Sequence, residues 1–189
     1  MTRYQLLGEA VRELLIEKGV LTAAQIRSAI ERMDARGPHL GARVIARAWV
    51  DPDYKARLLA DGTAAVAELG IAIEPTRLVV VENTATEHNL VVCTLCSCYP
   101  RNLLGLPPAW YKSINYRSRA AREPRAVLAE FGTVIPDHVR VRVHDSTADM
   151  RYLVLPQRPP GSESMSEAAL AGLVTRDAMI GVAVAKDPR

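Results

Sequence analysis

The sequence predicts an α+β fold, and three observations carry that prediction. From Leu7 to about Gly70 apolar side chains recur mainly at helical spacing. From Leu78 the pattern changes to β-branched runs, Leu78–Val81 and Leu90–Val92, with turn residues between them. Val139-Arg140-Val141-Arg142-Val143 then alternates strictly, as a half-exposed strand does.

The elements follow in order. Residues 1–36 read as a helical arm of two amphipathic helices. In the first, Leu7, Val11, Leu14 and Leu15 share a face, and Gly19 suits the left-handed stop after a helix. In the second, Thr22 and Gln25 form a capping box, Ile26, Ile30 and Met33 line one face, and Gly37-Pro38 ends the run. Two short helices cannot bury both apolar faces by themselves, so they pack on the domain or on a partner chain. Residues 37–189 form the second domain. Helical patterns continue from His39 to Gly70, with Asp51-Pro52 as N-cap and first helical residue. After the first strands, Pro124–Phe131 and Ser166–Val174 read as helices, and Tyr152–Leu155 and Ile180–Val184 as strands. Pro156–Met165, rich in Pro, Gly and Ser, reads as a loop. No internal repeat is evident.

Composition narrows the class. A chain of 189 residues with 49% hydrophobic and 24% charged residues buries one good core plus an appendage. The net charge of +3 is too small to argue for nucleic acid, and the few aromatics do not alternate with basic residues. Arg117, Arg119, Arg122 and Arg125 outnumber Glu123 locally and read as a solvated or subunit-facing surface. No apolar run reaches membrane-spanning length and no signal peptide opens the chain.

The chemistry concentrates in one place. All three cysteines fall within Cys93-Thr94-Leu95-Cys96-Ser97-Cys98. Clustered thiols without a disulfide framework suit the cytoplasm. Zinc and iron–sulfur sites want four ligands, and only three thiolates are here. The Cys96-Ser97-Cys98 end offers another donor set. The backbone nitrogens of Ser97 and Cys98 and the Cys98 sulfur close two five-membered chelate rings, and the Cys96 sulfur closes a six-membered one. That makes a square plane of two nitrogens and two sulfurs, with Cys93 as an axial thiolate and the opposite position open. Backbone amides bind only when deprotonated, so the pattern fits a trivalent low-spin ion rather than zinc. Two other readings compete: a zinc site closed by His88, and a redox switch forming a Cys93–Cys96 disulfide.

The run Val92–Pro100 resembles the metal loop of the nitrile hydratase α subunit. Further segments are similar to the family: Pro38–Arg43, Ala48–Pro52, Leu58–Thr63, Val81–Thr84, Leu104–Ser113, Tyr116–Arg119, Arg122–Arg125, Met150–Pro159 and Leu173–Val182. The resemblance implies the family's layered helix/sheet domain, with the arm embracing the partner subunit. It implies Cys93 as the unmodified thiolate, Cys96 as a sulfinate, Cys98 as a sulfenate, and Ser97 and Cys98 as amide donors. Cys98, Ser97 and Cys96 would thus be catalytic, hydrating a nitrile to an amide. Thr94 resembles the cobalt branch, which implies non-corrin Co(III) rather than iron. The partners implied are one β-type subunit or two split chains, whose arginines hold the oxidised sulfurs, and a cobalt-insertion activator protein.

One departure bears on the substrate. Where most of the family carries Trp-Pro after Tyr-Pro, this chain has Arg101-Asn102. A guanidinium there makes the pocket more polar. It points to a large polar nitrile such as the nucleoside toyocamycin, or to kinship with thiocyanate hydrolase, whose cobalt subunit tends to Arg at this place. The remaining candidates read as structural: His39, His138 and His144 as scattered side chains, Trp49 and Trp110 as packing anchors, and Asp149 and Arg151 as a surface ion pair.

Overall fold

The computed structural model describes residues 1–73 and 75–188. It separates into two compact units, Met1–Ala35 and Arg36–Arg189. The first holds α1 (Arg3–Glu17) and α2 (Ala23–Asp34). Thr2 with Gln5, and Thr22 with Gln25, close capping boxes that satisfy the first free amides of each helix. Gly19 follows α1 in the left-handed region, at φ 68°. No residue of either helix is buried, and Leu7, Val11, Leu14, Ile30 and Met33 are all exposed.

The second unit opens with α3 (Pro38–Val50), α4 (Pro52–Ala60) and α5 (Gly62–Ala67). Asp51 ends α3 and caps α4 through Tyr54 N at 2.9 Å, and Pro52 takes the first helical position, where its missing N–H costs nothing. Asp61 does the same for α5 through Ala64 N at 3.1 Å. Next come β1 (Arg77–Glu82) and β2 (Glu87–Val92), the short helices α6 (Arg101–Leu104), α7 (Ala109–Lys112), α8 (Ile114–Ala120) and α9 (Pro124–Glu130), then β3 (Arg140–Asp145), β4 (Met150–Leu155), α10 (Glu167–Ala171) and α11 (Arg176–Ile180).

The strands form two parallel pairs, β1 with β4 and β2 with β3. The register sets Val79 beside Tyr152 and Leu90 beside Val143. β2 packs on β4 and β1 as well, so the two pairs share one core. α4, α5 and α11 lie against the β1/β4 pair, while α8 and α9 cover β2 and β3. β3 alternates between exposed arginines and half-buried valines over Arg140–Val143, as its sequence requires. β2 is buried from His88 through Val92 and ends at Cys93. Among the described residues no helix is long and apolar enough to cross a membrane.

Although consecutive, β1 and β2 do not pair with each other. Side chains take over the backbone groups between them. Asn83 Oδ1 accepts from Asn89 N at 2.7 Å and from Asn89 Nδ2 at 3.0 Å, while Asn89 Nδ2 also donates to Glu82 O at 2.7 Å. His88 extends the network, its Nε2–H donating to Gly181 O at 2.7 Å and its Nδ1 accepting from Asn83 Nδ2 at 3.3 Å. His144 Nε2 donates to Asn89 Oδ1 at 2.7 Å from β3.

Ile180–Val184 is not a strand. Thr175 caps α11 through Ala178 N at 3.1 Å, and Gly181 stops it with φ 88°. A short buried apolar run has the same pattern in a helix as in a strand, and the cap and the glycine decide the outcome. Gly181 is also pressed against β2: a Cβ there would stand 1.9 Å from Asn89 O. Gly181→Ala is expected to destabilise by about 3 kcal/mol or more through this clash and the left-handed backbone, as a large fall in the urea unfolding midpoint.

Burial lowers the pKa of both His88 and His144, the latter helped by the positive charge of Arg142. Each ring stays neutral in the folded chain at pH values where the unfolded chain binds a proton. Stability from this source is therefore complete above the ordinary value of 6.5 and is lost as the pH falls below it. Urea midpoints should drop as the pH is lowered through 6.5, and His88→Gln should flatten that dependence.

Candidate metal centre

Cys93 is delivered by the buried carboxyl end of β2 and is 1% exposed. The chain then leaves the sheet, so Cys96 is exposed and Cys98 half-buried. The three sulfurs converge: Cys93 Sγ lies 3.4 Å from Cys96 Sγ, which lies 3.2 Å from Cys98 Sγ. All three stand within 4.8 Å of one another, close enough to share one ion. His88 sits at the opposite end of β2 with both ring nitrogens engaged, and is not in this group.

Several contacts shape the loop. Thr94 donates through its N–H at 3.0 Å and its hydroxyl at 2.5 Å to the two carboxylate oxygens of Asp145, at the end of β3. Ser146 N donates to Val92 O at 2.7 Å, extending the parallel ladder to the residue before Cys93. Cys96 N donates to Cys93 Sγ at 3.3 Å. Tyr111, placed by α7 behind Pro107-Pro108, donates its hydroxyl to Cys98 O at 2.7 Å, and Tyr116 of α8 donates to Val91 O at 2.6 Å. Arg117 reaches Thr94 O at 3.5 Å. The sequence carried a signal for Tyr111 only as part of the Leu104–Ser113 resemblance, and none for Asp145 beyond its place after the alternating run.

The thiols are not equivalent. Hydrogen bonds from Cys98 and Cys93, aided by the Ser97 and Cys98 N–H groups, bring Cys96 down to about 7. Burial and the neighbouring Cys96 sulfur push Cys98 up to about 12, against the positive charge of Arg151. Cys96 thus gives up its proton before Cys98 does. The backbone amides of Ser97 and Cys98 lie between the Cys96 and Cys98 sulfurs in the chain, so the loop offers two nitrogens beside its converging sulfurs. This donor set fits an ion that takes both thiolate and amide ligands.

Arg101 opens α6 and lines a small cavity of about 90 Å³ beside the loop, with Ile73, Thr76, Tyr99 and Arg151. Arg151 makes no ion pair with Asp149; it donates to the carbonyls of Ala148 and Met150, both at 3.1 Å, and more closely to that of Thr147. A much larger cleft, about 1030 Å³, opens at the far end of β2 around Trp49, Glu82, His88, Val134 and Pro156. It contains no cysteine, and the donor chemistry outweighs its size. Trp49 anchors there, donating to Pro156 O at 2.9 Å, and Trp110 packs edge-on against Tyr116 and Phe131. The arginine run is partnered: Arg119 forks onto Glu130 and Glu123, while Arg122 and Arg125 donate to backbone carbonyls.

Comparison with known proteins places the chain among related sequences and structures. Residues 2–183 match the family model described as nitrile hydratase, alpha chain. The chain is 51% identical to the low-molecular weight cobalt-containing nitrile hydratase subunit alpha of Rhodococcus rhodochrous, over 95% of this chain and 88% of that one. It is 45% identical to the thiocyanate hydrolase subunit gamma of Thiobacillus thioparus, over 97% of this chain and 80% of that one. A solved double mutant of the Fe-type nitrile hydratase from Comamonas testosteroni superposes with a TM-score of 0.90 at 40% identity, covering 98% of this chain and 91% of that one.

The exposures and acidities of the thiols predict an order of modification. In metal-free protein at neutral pH, an alkylating reagent should label Cys96 first, with half-maximal rate near pH 7, and Cys93 last. Peptide mass spectrometry over time reads that order.

Proposed function

This chain belongs to the nitrile hydratase α-chain family, and on that premise we propose that it is the metal-binding subunit of a nitrile hydratase, a lyase that adds water to a nitrile to give the amide. The observation that carries this reading is the convergence of three sulfurs in one loop, with the Ser97 and Cys98 amides between two of them in the chain. Cys93, Cys96 and Cys98 would hold the ion by sulfur, and Ser97 and Cys98 by backbone nitrogen. We take that ion to be non-corrin Co(III), supported by Thr94 and by the cobalt-containing relative. Such an ion supplies Lewis acidity that polarises a nitrile.

The remaining work falls to the chain. Cys96 is the sulfinate and Cys98 the sulfenate of the mature subunit, consistent with the easy ionisation of the Cys96 thiol. The Cys98 sulfenate oxygen attacks the nitrile carbon or orients the water that does. One water is consumed per amide, and its protons end on the nitrile nitrogen. Buried Cys93 anchors the loop and keeps solvent from that side.

The exposed apolar faces of α1 and α2 support their assignment as a partner-facing arm, so that a β-type subunit completes the enzyme. An activator protein would load the cobalt, in the cytoplasm. Arg101, beside a second guanidinium at the small cavity, supports a polar substrate, such as a nucleoside nitrile. The same arginine, with the 45% identical relative, favours a second reading as the cobalt subunit of a thiocyanate hydrolase.

The test is metal analysis with peptide mass spectrometry across Cys93–Cys98, on protein co-expressed with its β-type partner and activator and supplied with cobalt. Stoichiometric cobalt, two oxygens on Cys96 and one on Cys98 are expected. Zinc or bare thiols would replace the enzyme with a non-catalytic metal-binding or redox-switch module. Turnover of aliphatic, aromatic and nucleoside nitriles and of thiocyanate by the same preparation separates the two substrate readings, and uniform preference for small aliphatic nitriles overturns the polar pocket.

A further inference from the structure

The cysteine loop is fastened at both stems by hydroxyls from one aromatic cluster. Tyr116 holds Val91 O at 2.6 Å, two residues before Cys93, and Tyr111 holds Cys98 O at 2.7 Å. The two rings pack with centroids 5.6 Å apart, and Tyr111 also meets Tyr99 edge-on at 5.0 Å. Trp110 packs on both tyrosines. These two anchors differ in what they hold. Val91 lies inside β2, where the parallel ladder with β3 already fixes the backbone. Cys98 lies in irregular chain, outside every helix and strand. Its carbonyl shares a Cα with both its amide nitrogen and its sulfur side chain, so a fixed carbonyl limits where those two donors can point. Tyr111 is itself fully buried, and a buried ring has little room to follow a moving loop.

We propose that Tyr111 is a positioning residue for metal loading, its buried hydroxyl holding the Cys98 backbone so that the sulfur and amide donors of Ser97 and Cys98 converge on one point. The inference rests on the metal-centre reading above. Tyr111 touches no reacting atom; it acts through the Cys98 carbonyl. Tyr116, at the ladder end, serves the fold and not the donor geometry.

Tyr111→Phe and Tyr116→Phe each remove one buried hydroxyl-to-carbonyl bond and keep the ring. Both are prepared as the complex with the β-type partner and activator, grown with cobalt, beside the unaltered complex. Similar falls in thermal midpoint are expected for the two. Only Tyr111→Phe should lose cobalt per chain severalfold and shift the visible sulfur-to-cobalt absorption band. Full cobalt with an unshifted band in Tyr111→Phe, or equal losses in both variants, overturns the proposal. An unaltered complex that holds no cobalt overturns the metal reading and this inference together. A loaded unaltered complex beside an equally loaded Tyr111→Phe overturns the inference alone. Should Tyr111→Phe fail to fold, 3-fluorotyrosine at residue 111 keeps the ring and changes only the strength of the bond. A shifted band then supports the proposal, and an unshifted one overturns it.

Discussion

The second unit depends on one constraint, the register of β2. This strand is buried from His88 to Val92 and carries Cys93 at its end. A slip of one residue would turn every side chain to the opposite face and carry the cysteine with it. The amino end of the strand is locked by polar groups that have no water to fall back on. Asn83, His88 and Asn89 are all buried, and their hydrogen bonds close among themselves, Gly181, Glu82 and His144. Leaving one such group unpaired costs about 1–3 kcal/mol, so a shifted register would forfeit several bonds at once. The polar network at one end thus fixes the position of a sulfur at the other.

From that point the design changes from buried to exposed. The loop after Cys93 leaves the core and exposes Cys96, and without support it would not hold its sulfurs together. Support comes from rigid neighbours: Asp145 at the end of β3, Tyr111 on α7 and the Ser146 amide. Sites held by packed elements keep their geometry better than sites held by their own loops. Within the loop the thiols differ: hydrogen bonds from Cys98 and Cys93 let Cys96 ionise easily, while burial holds Cys98 back.

Some apolar side chains stay exposed. Leu95 in the loop is 89% exposed and Ile114 at the start of α8 is 76% exposed, and no residue of α1 or α2 is buried. A contiguous apolar helix face left uncovered in its own unit is the kind of surface a partner chain can bind.

Features whose physics is local can be read from the residues alone. Three cysteines within six residues can meet one ion when a single loop turns them inward, and the amides between them come with the chain. The caps at Thr22, Asp51, Ser166 and Thr175 act within three residues, and the Asp51-Pro52 pair marks its helix start without tertiary help. Strand pairing is settled by the fold, because β1 and β4 meet across some seventy residues of chain and nothing in either segment names its parallel partner. The fold also sets His88 against Gly181 and not against the sulfurs. Tyr111 and Asp145 joined the loop in the same way. Each is an ordinary residue until folding brings its polar atom against a backbone group distant in sequence, and such a contact depends on packing that local preference does not encode.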